Sequence, residues 1–128
     1  DGLMKIKEMY NPVVYAYSLS VGVDVKIKDR MKIRIGDREA MILHTPGHSN
    51  DSICVYCEEE QVLFSGDTPL NINTPGGTYN QNFVSALKML TSLKIKTIYP
   101  GHDNPMTTNV KEILKNSLNN VRKSKIVL

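Results

Sequence analysis

The chain contains three histidines, and two of them end the same tripeptide, each time just past a strand-like run. Pro46-Gly47-His48 follows one such run, and Pro100-Gly101-His102 follows another. Between them, Gly66-Asp67-Thr68 comes directly after a short apolar stretch. Because strand ends gather at one edge of a sheet, this pattern predicts a sheet that presents His, Asp and His at its rim.

The residue types at these three strand ends are those of a metal site, since imidazole and carboxylate groups suit zinc and similar ions. Each motif is weak by itself, because Pro-Gly-x is a common turn and a lone histidine is more often structural than a ligand. Their shared position past a strand is what makes His48, Asp67 and His102 candidate metal ligands.

Length and composition narrow the class of protein. The 128 residues fit a single domain, taken as residues 1–128. The net charge of +3 comes from scattered basic residues without interleaved aromatics, which disfavours nucleic acid as a partner. No apolar run approaches the roughly 20 residues of a membrane span, so no membrane association is expected. Two cysteines do not make a secreted disulfide framework, and we therefore expect a cytoplasmic protein.

The two cysteines form a C-x-x-C sequence, Cys54 to Cys57, which could suggest redox chemistry or zinc binding. The surrounding segment reads as a strand, and side chains three apart on a strand point to opposite faces. We therefore interpret the pair as one core cysteine and one cysteine on the other face.

Hydrophobic periodicity predicts an α+β fold of mostly antiparallel hairpin strands followed by helix, strand and helix. Residues 68–80 read as a loop, and Asn109 with Glu112 three residues on predicts a capped start for the last helix. The expected order places helices on one side of a sheet. The predicted elements are a helix near 3–10, strands at 13–17, 23–27, 32–35, 38–44, 53–58, 61–65 and 96–99, and helices at 82–93 and 110–121.

The motifs resemble those of a known family. Thr45-Pro46-Gly47-His48-Ser49, Leu63-Phe64-Ser65-Gly66-Asp67-Thr68 and Tyr99-Pro100-Gly101-His102 are similar to the later motifs of the metallo-β-lactamase superfamily, most of all to its small glyoxalase II-like hydrolases. The resemblance runs from the first residues into the last helix. It implies a four-layer αββα sandwich, of which this chain would form the C-terminal part.

The resemblance also implies roles for the three candidate ligands. His48 would complete the ligand set of a first metal ion, His102 would belong to a second, and Asp67 would bridge both. The two ions, zinc in the first instance with iron or manganese as alternatives, would share a hydroxide that attacks a carbonyl group, which makes Asp67 the catalytic carboxylate of the set.

One departure from the family is large. Its first motif, His-x-His-x-Asp-His, is not in this sequence, and no histidine occurs before His44. The opening Asp1-Gly2 and the helix after it resemble the family segment that comes directly after that motif, so we expect the chain to be a fragment with little activity of its own. An exposed apolar sheet face should then make it dimerise or associate with the missing N-terminal part.

Several family activities are disfavoured. Common class B β-lactamases carry Cys where this chain has Asp67, and nucleases with an inserted domain need more than the 34 residues at 68–101. The favoured function is hydrolysis of a small thioester or ester substrate. The alternatives are a non-catalytic half-fold that binds a partner chain and a di-iron redox member of the superfamily.

Other polar residues near the motifs are expected to have structural roles. His44 reads as a strand-end residue bonded to the backbone. Ser49 and Thr68 could hydrogen-bond the ligand loops, and we favour the interpretation that they are local caps of their turns. The loop at 68–80, with Tyr79, is either a plain connection or one wall of the substrate site.

Overall fold

The computed structural model describes residues 2–128, so Asp1 of the expected Asp1-Gly2 opening lies outside the described residues. The helices are α1, Gly2–Tyr10; α2, Gln81–Thr91; and α3, Val110–Arg122. The strands are β1, Tyr15–Ala16; β2, Val25–Lys26; β3, Lys32–Ile35; β4, Arg38–His44; β5, Ile53–Cys57; β6, Val62–Gly66; β7, Thr78–Asn80; β8, Thr97–Pro100; and β9, Lys125–Val127. None of the helices in this described part has the length and apolar character that crossing a bilayer requires.

The main sheet has five strands in the order β3-β4-β5-β6-β8. The first four are joined as antiparallel neighbours, and β8 pairs with β6 in parallel. The first hairpin has the predicted bounds, because alternating residues on both sides of Gly36-Asp37 fix the turn and the register locally. The α+β fold of mostly antiparallel strands is therefore confirmed.

Helices α2 and α3 cover one face of this sheet. Leu43, Leu63 and Ile98 are fully buried on that face, and they form one core with the apolar sides of the two helices. The helical contribution comes from residues three and four apart, including Phe83, Leu87, Leu90, Leu114 and Val121. The predicted helical layer on one side of the sheet is thus confirmed.

Two small parallel pairs depart from the sequence prediction. The sequence predicts a buried strand at 13–17, but only Tyr15–Ala16 is extended, and both Val13 and Tyr15 are exposed. That prediction is wrong, because β1 pairs only with the two-residue β2, which buries little of it. The second pair joins β7 to β9, so the predicted loop at 68–80 ends in a strand.

The start of α3 also differs from expectation. Asn109 occupies the N-cap position but has a left-handed backbone, with φ 54° and ψ 29°, and its side chain makes no capping hydrogen bond. Its carbonyl oxygen accepts the first helical hydrogen bond from the Ile113 amide at 2.9 Å. Asparagine tolerates this conformation better than most residues, which is why the helix begins here without the predicted capping box.

Candidate metal centre

The direction of the strands brings the three motifs together. Strand β5 is antiparallel to both β4 and β6, and β8 is parallel to β6, so β4, β6 and β8 all point the same way. Their C-terminal ends therefore lie at one edge of the sheet, and each is followed by one candidate ligand. His48, Asp67 and His102 all line one pocket of about 380 Å³ at that edge, as the sequence pattern predicted.

The Asp67 and His102 side chains are in direct contact. Asp67 Oδ1 lies 2.8 Å from His102 Nε2, and the two side chains are 50% and 83% exposed. The loops that carry them are joined by their backbones, because the Gly101 amide donates to the Gly66 carbonyl oxygen at 2.8 Å. A parallel pair of strands thus places a carboxylate and an imidazole side by side.

The repeated tripeptide needs its glycine for two different reasons. A Cβ atom at Gly47 would collide with the Phe83 ring, whose Cγ would stand only 2.9 Å away. A Cβ atom at Gly101 would lie 3.1 Å from the Gly66 carbonyl oxygen. Each histidine therefore follows a residue pressed against a neighbouring element, and the two turns pack tightly into the fold.

An irregularity in β6 lies just before Asp67. The pairing of β6 with β8 shifts register between Phe64 and Gly66, so Ser65 has no partner across the ladder. Such bulges re-aim the chain at the ends of strands and near functional sites. Ser65 is almost fully buried in the pocket, and its Oγ is the single buried side-chain nitrogen or oxygen atom without a hydrogen-bond partner within residues 2–128.

The loop after Asp67 forms a wall of the pocket and is fastened to α3. Ser117 Oγ donates to the Leu70 carbonyl oxygen and accepts from the Ile72 amide, both at 2.8 Å. Asn120 Nδ2 donates to the Ile72 carbonyl oxygen at 2.8 Å, and Ser124 Oγ accepts from the Gly76 amide at 2.9 Å. These contacts join the segment to α3 and to Ser124 just after it, and the polar series 117, 120 and 124 is the sequence signal that could have indicated them.

A smaller hollow adjoins the main pocket. It encloses about 170 Å³ and shares His48 and Pro69 with the main pocket. Tyr79 and Phe83 line it and stack with ring centroids 5.7 Å apart. Tyr79, in β7 at the end of the 68–80 segment, thus lines the same hollow as His48.

His48, Asp67 and His102 have side chains of the types that bind metal ions. The unpartnered Ser65 hydroxyl adds a further oxygen atom to the pocket. Asp67 and His102 already meet. However, no three His, Cys, Asp or Glu side chains in the described part of the chain are grouped closely enough to hold an ion together. The residues therefore fit part of a metal site, and His48 lines the pocket without joining the contact pair.

The other polar residues have mostly the expected roles. His44 Nε2 lies 2.7 Å from the Asn50 carbonyl oxygen, and its ring stacks on Tyr17, which confirms a structural role. Ser49 bonds locally, at 2.7 Å to Asp51 Oδ1, as predicted. The expectation of a local cap at Thr68 is wrong, because its buried hydroxyl bonds to Thr45, 23 residues away.

The two cysteines are separate free thiols. Cys54 is buried on the helix-covered face, and Cys57 is half-buried on the other face, as predicted. Burial raises the pKa of the Cys54 thiol, against a smaller lowering by its hydrogen bonds to Thr45 and Thr68. Burial and the nearby Glu60 carboxylate raise the pKa of Cys57. Both thiols therefore stay protonated at neutral pH, which makes them poor nucleophiles.

Comparison with known proteins agrees with this arrangement. The family model of the metallo-beta-lactamase superfamily matches residues 2–102. A probable hydroxyacylglutathione hydrolase of Schizosaccharomyces pombe is 36% identical in an alignment of 103 positions that covers 76% of this chain and 40% of that protein. The hydroxyacylglutathione hydrolase of Francisella tularensis subsp. novicida is 36% identical in an alignment of 112 positions that covers 80% of this chain and 44% of that protein.

Solved structures show the same fold. The structure of ETHE1 from Myxococcus xanthus superimposes with a TM-score of 0.69 at 20% identity, over 93% of this chain and 56% of that one. A metallo-beta-lactamase from Pontibacter korlensis gives a TM-score of 0.69 at 17% identity, over 93% and 62%. The chain belongs to the metallo-beta-lactamase superfamily. It spans less than half the length of the two hydroxyacylglutathione hydrolases that it matches.

Proposed function

We propose that this chain carries the second half of the metal site of a hydrolase that acts on a small thioester or ester. The observation that carries the proposal is the contact of Asp67 with His102 in a pocket that His48 also lines. The two relatives named hydroxyacylglutathione hydrolase support a thioester as the substrate class. A 34% identical relative, named atrochrysone carboxyl ACP thioesterase, points to the same bond type.

In this proposal, His48, Asp67 and His102 hold the metal ions. When bound, two ions supply a hydroxide nucleophile near neutral pH and stabilise the negative charge that develops on the carbonyl oxygen. Asp67 would contribute its two carboxylate oxygens to that ligand set. Zinc is the first choice, and His and Asp ligands also accept iron or manganese.

We propose further that other residues, outside this chain, complete the site. The three candidate ligands do not form a group of three within residues 2–128, and the first family motif is absent from the sequence. The chain alone should therefore hold an ion weakly and hydrolyse little. The free state of both cysteines supports a reducing, cytoplasmic location.

The apolar surface on the sheet face opposite the helices supports the proposal that a partner binds this chain. Phe64 and Tyr99 are large, stacked and almost half exposed there, and α1 presents Met9 and Tyr10 to solvent. Monomers rarely leave such surfaces uncovered. We propose that a further part of the domain from outside this chain, or a second copy of the chain, covers them. The same observation favours the second candidate function, a non-catalytic half-fold that binds a partner chain.

A zinc titration with one matched pair of variants tests the ligand proposal. Asp67→Asn keeps the shape of the side chain and removes its charge, and should weaken Zn²⁺ binding to the full chain by about tenfold or more. Asp37→Asn makes the same change in an exposed hairpin turn and should leave Zn²⁺ binding unchanged. Equal affinities for the two variants, or no saturable Zn²⁺ binding by the unmodified chain, would contradict the proposal.

Turnover separates the two candidate functions. A longer protein containing this chain should hydrolyse at least one member of a panel of thioesters, and His48→Ala should abolish that turnover. If the panel shows no turnover and His48→Ala leaves partner binding intact, the non-catalytic function is the correct one.

A further inference from the structure

A small buried polar cluster adjoins the candidate metal centre, since Thr68 lines the same pocket as the three candidate ligands. The side chains of Thr45, Cys54 and Thr68 are all buried there. Thr45 Oγ1 and Thr68 Oγ1 share a hydrogen bond of 3.0 Å, and Cys54 Sγ lies 3.4 Å from Thr45 Oγ1. Burying hydroxyl groups costs free energy unless they are paired, so this cluster must be specifically arranged.

The two threonines flank the candidate ligand loops. Thr45 is the residue immediately before Pro46-Gly47-His48, and Thr68 is the residue immediately after Asp67. Each is also fixed by its own backbone. The Thr45 amide donates to the Ser52 carbonyl oxygen and the Thr68 amide to that of Ser65, both at 2.9 Å. The hydroxyl pair therefore joins two residues whose neighbours carry the ligands.

The topology of the sheet explains why this link uses side chains. Strands β4 and β6 are separated by β5, so no backbone ladder can join the loop that carries His48 to the loop that carries Asp67. The loops of Asp67 and His102 follow adjacent strands, and their backbones do bond directly. The threonine pair crosses the end of β5, where Cys54 supplies the third member of the cluster.

We propose that Thr45 and Thr68 are positioning residues that set the separation of the His48 and Asp67 loops through their shared hydrogen bond. The low dielectric of the interior strengthens such a bond, and leaving one partner unpaired there is costly. The inference rests on the proposed function only in taking these loops as ligand loops. The hydrogen bond itself acts whether or not metal is bound.

Valine substitutions test the link, because valine keeps the shape of threonine and removes the hydroxyl group. In Thr45→Val and in Thr68→Val, the amides of Gly47 and Thr68 should exchange with solvent about tenfold faster relative to a core amide such as that of Leu63. Both amides are hydrogen-bonded in the intact protein, so their exchange is measurable. Thr45→Ser keeps the hydroxyl and should return this loop-to-core ratio to within about twofold of its original value.

Tyr56→Phe is the matched control. It removes a hydroxyl group that donates to the Lys94 carbonyl oxygen at 2.8 Å. Tyr56 lies two residues along β5 from Cys54, away from the loops. Its effect on the loop amides should equal its effect on the core. The ring signals of the three histidines offer a second readout: that of His48 should move or broaden in both valine variants and stay unchanged in Tyr56→Phe.

Two results would overturn the inference: a loop-to-core exchange ratio that the valine variants leave unchanged, or a Thr45→Ser protein that behaves like Thr45→Val. Both measurements are made without metal, so either failure leaves the zinc comparison of Asp67→Asn with Asp37→Asn intact. Conversely, a chain that does not bind zinc can still pass this test.

Discussion

The two faces of the central sheet differ in what covers them. On the helix-covered face, Leu63 and Ile98 pair across β6 and β8 and are completely buried. On the opposite face, Phe64 and Tyr99 pair across the same two strands, yet they are 46% and 42% exposed. On one face, these two strands therefore form part of the buried core. On the other face, here called the open face, they leave Phe64 and Tyr99 exposed to solvent.

This difference indicates whether the strands form a sheet that is covered on one face or on both faces. Antiparallel sheets with one wet face alternate apolar and polar residues, whereas sheets covered on both faces are apolar throughout. Across β4, β5 and β6, the same face carries Ile42, Val55 and Phe64 in direct register, and it is buried at Ile42, which is 2% exposed, but open at Phe64, which is 46% exposed. The residues of the sheet are thus suited to burial on both sides, which supports the proposal that a further layer completes the domain.

The largest expected effect comes from a substitution on the helix-covered face. Phe83 is 2% exposed and packs against Gly47, so Phe83→Ala should lower the free energy of unfolding by about 3–5 kcal/mol. Urea denaturation measures the change. A loss below about 1 kcal/mol would mean that the helix-covered core is much looser than its burial indicates.

The second-largest expected effect concerns the hydrogen bonds that join the pocket wall to α3. Ser117→Ala removes the hydroxyl that bonds to Leu70 and Ile72, leaving a half-buried amide and a carbonyl oxygen without this partner. The expected cost is about 1–3 kcal/mol in unfolding free energy. Ser85→Ala, on the exposed side of α2, provides the comparison and should change stability by less than about 0.5 kcal/mol. Equal costs for the two variants would show that the wall is not fastened through Ser117.

Local patterns predicted much of this arrangement. The hairpin at Lys32–Ile35 and Arg38–His44 has its predicted bounds, because its turn and alternation lie within about a dozen residues of sequence. The convergence of His48, Asp67 and His102 on one pocket also followed from their positions past strand ends. The first prediction needed only the local turn and the alternation of residues, and the second needed only strand direction and side-chain type.

The remaining features depend on distant parts of the chain. Strand β7 exists because three residues pair with β9, more than 40 positions later, and nothing local marks it. The link from Thr45 to Thr68 spans 23 residues and needs both loops in place. The register shift at Ser65 arises only where β6 meets β8. Side-chain pairs and bulges of this kind are set by tertiary packing, which periodicity does not encode.

The open face should respond differently to the same substitution. Phe64→Ala is matched to Phe83→Ala, since these are the two phenylalanines of the chain. Because Phe64 is nearly half exposed, the free energy of unfolding should fall by only about 1 kcal/mol or less. Sedimentation should show weaker self-association than for the unmodified chain. A strictly monomeric unmodified chain at micromolar concentration would instead exclude a second copy as the covering partner.

The smallest expected effect lies in the N-terminal segment of the chain. Lys7 Nζ lies 2.9 Å from Asp24 Oδ1, and the Val14 amide donates to Asp24 Oδ2 at 2.8 Å. The Lys7 hydrogen bond, and then the Val14 bond, hold the pKa of Asp24 below its ordinary value of 3.8. A carboxyl group with a lowered folded-state pKa contributes stability above its unfolded-state pKa and loses it as the pH falls through the folded-state value.

Asp24→Asn isolates that contribution, because the amide oxygen can still accept from Val14 while the charge opposite Lys7 is gone. The difference in melting temperature between the two proteins should be constant from neutral pH down to about pH 5, and should shrink below about pH 4. It should also shrink in 1 M salt, since exposed charges are screened. A difference that persists unchanged in acid would assign the effect of Asp24 to its hydrogen bonds. The N-terminal segment would then be held by neutral contacts, as the helix-covered face of the sheet is.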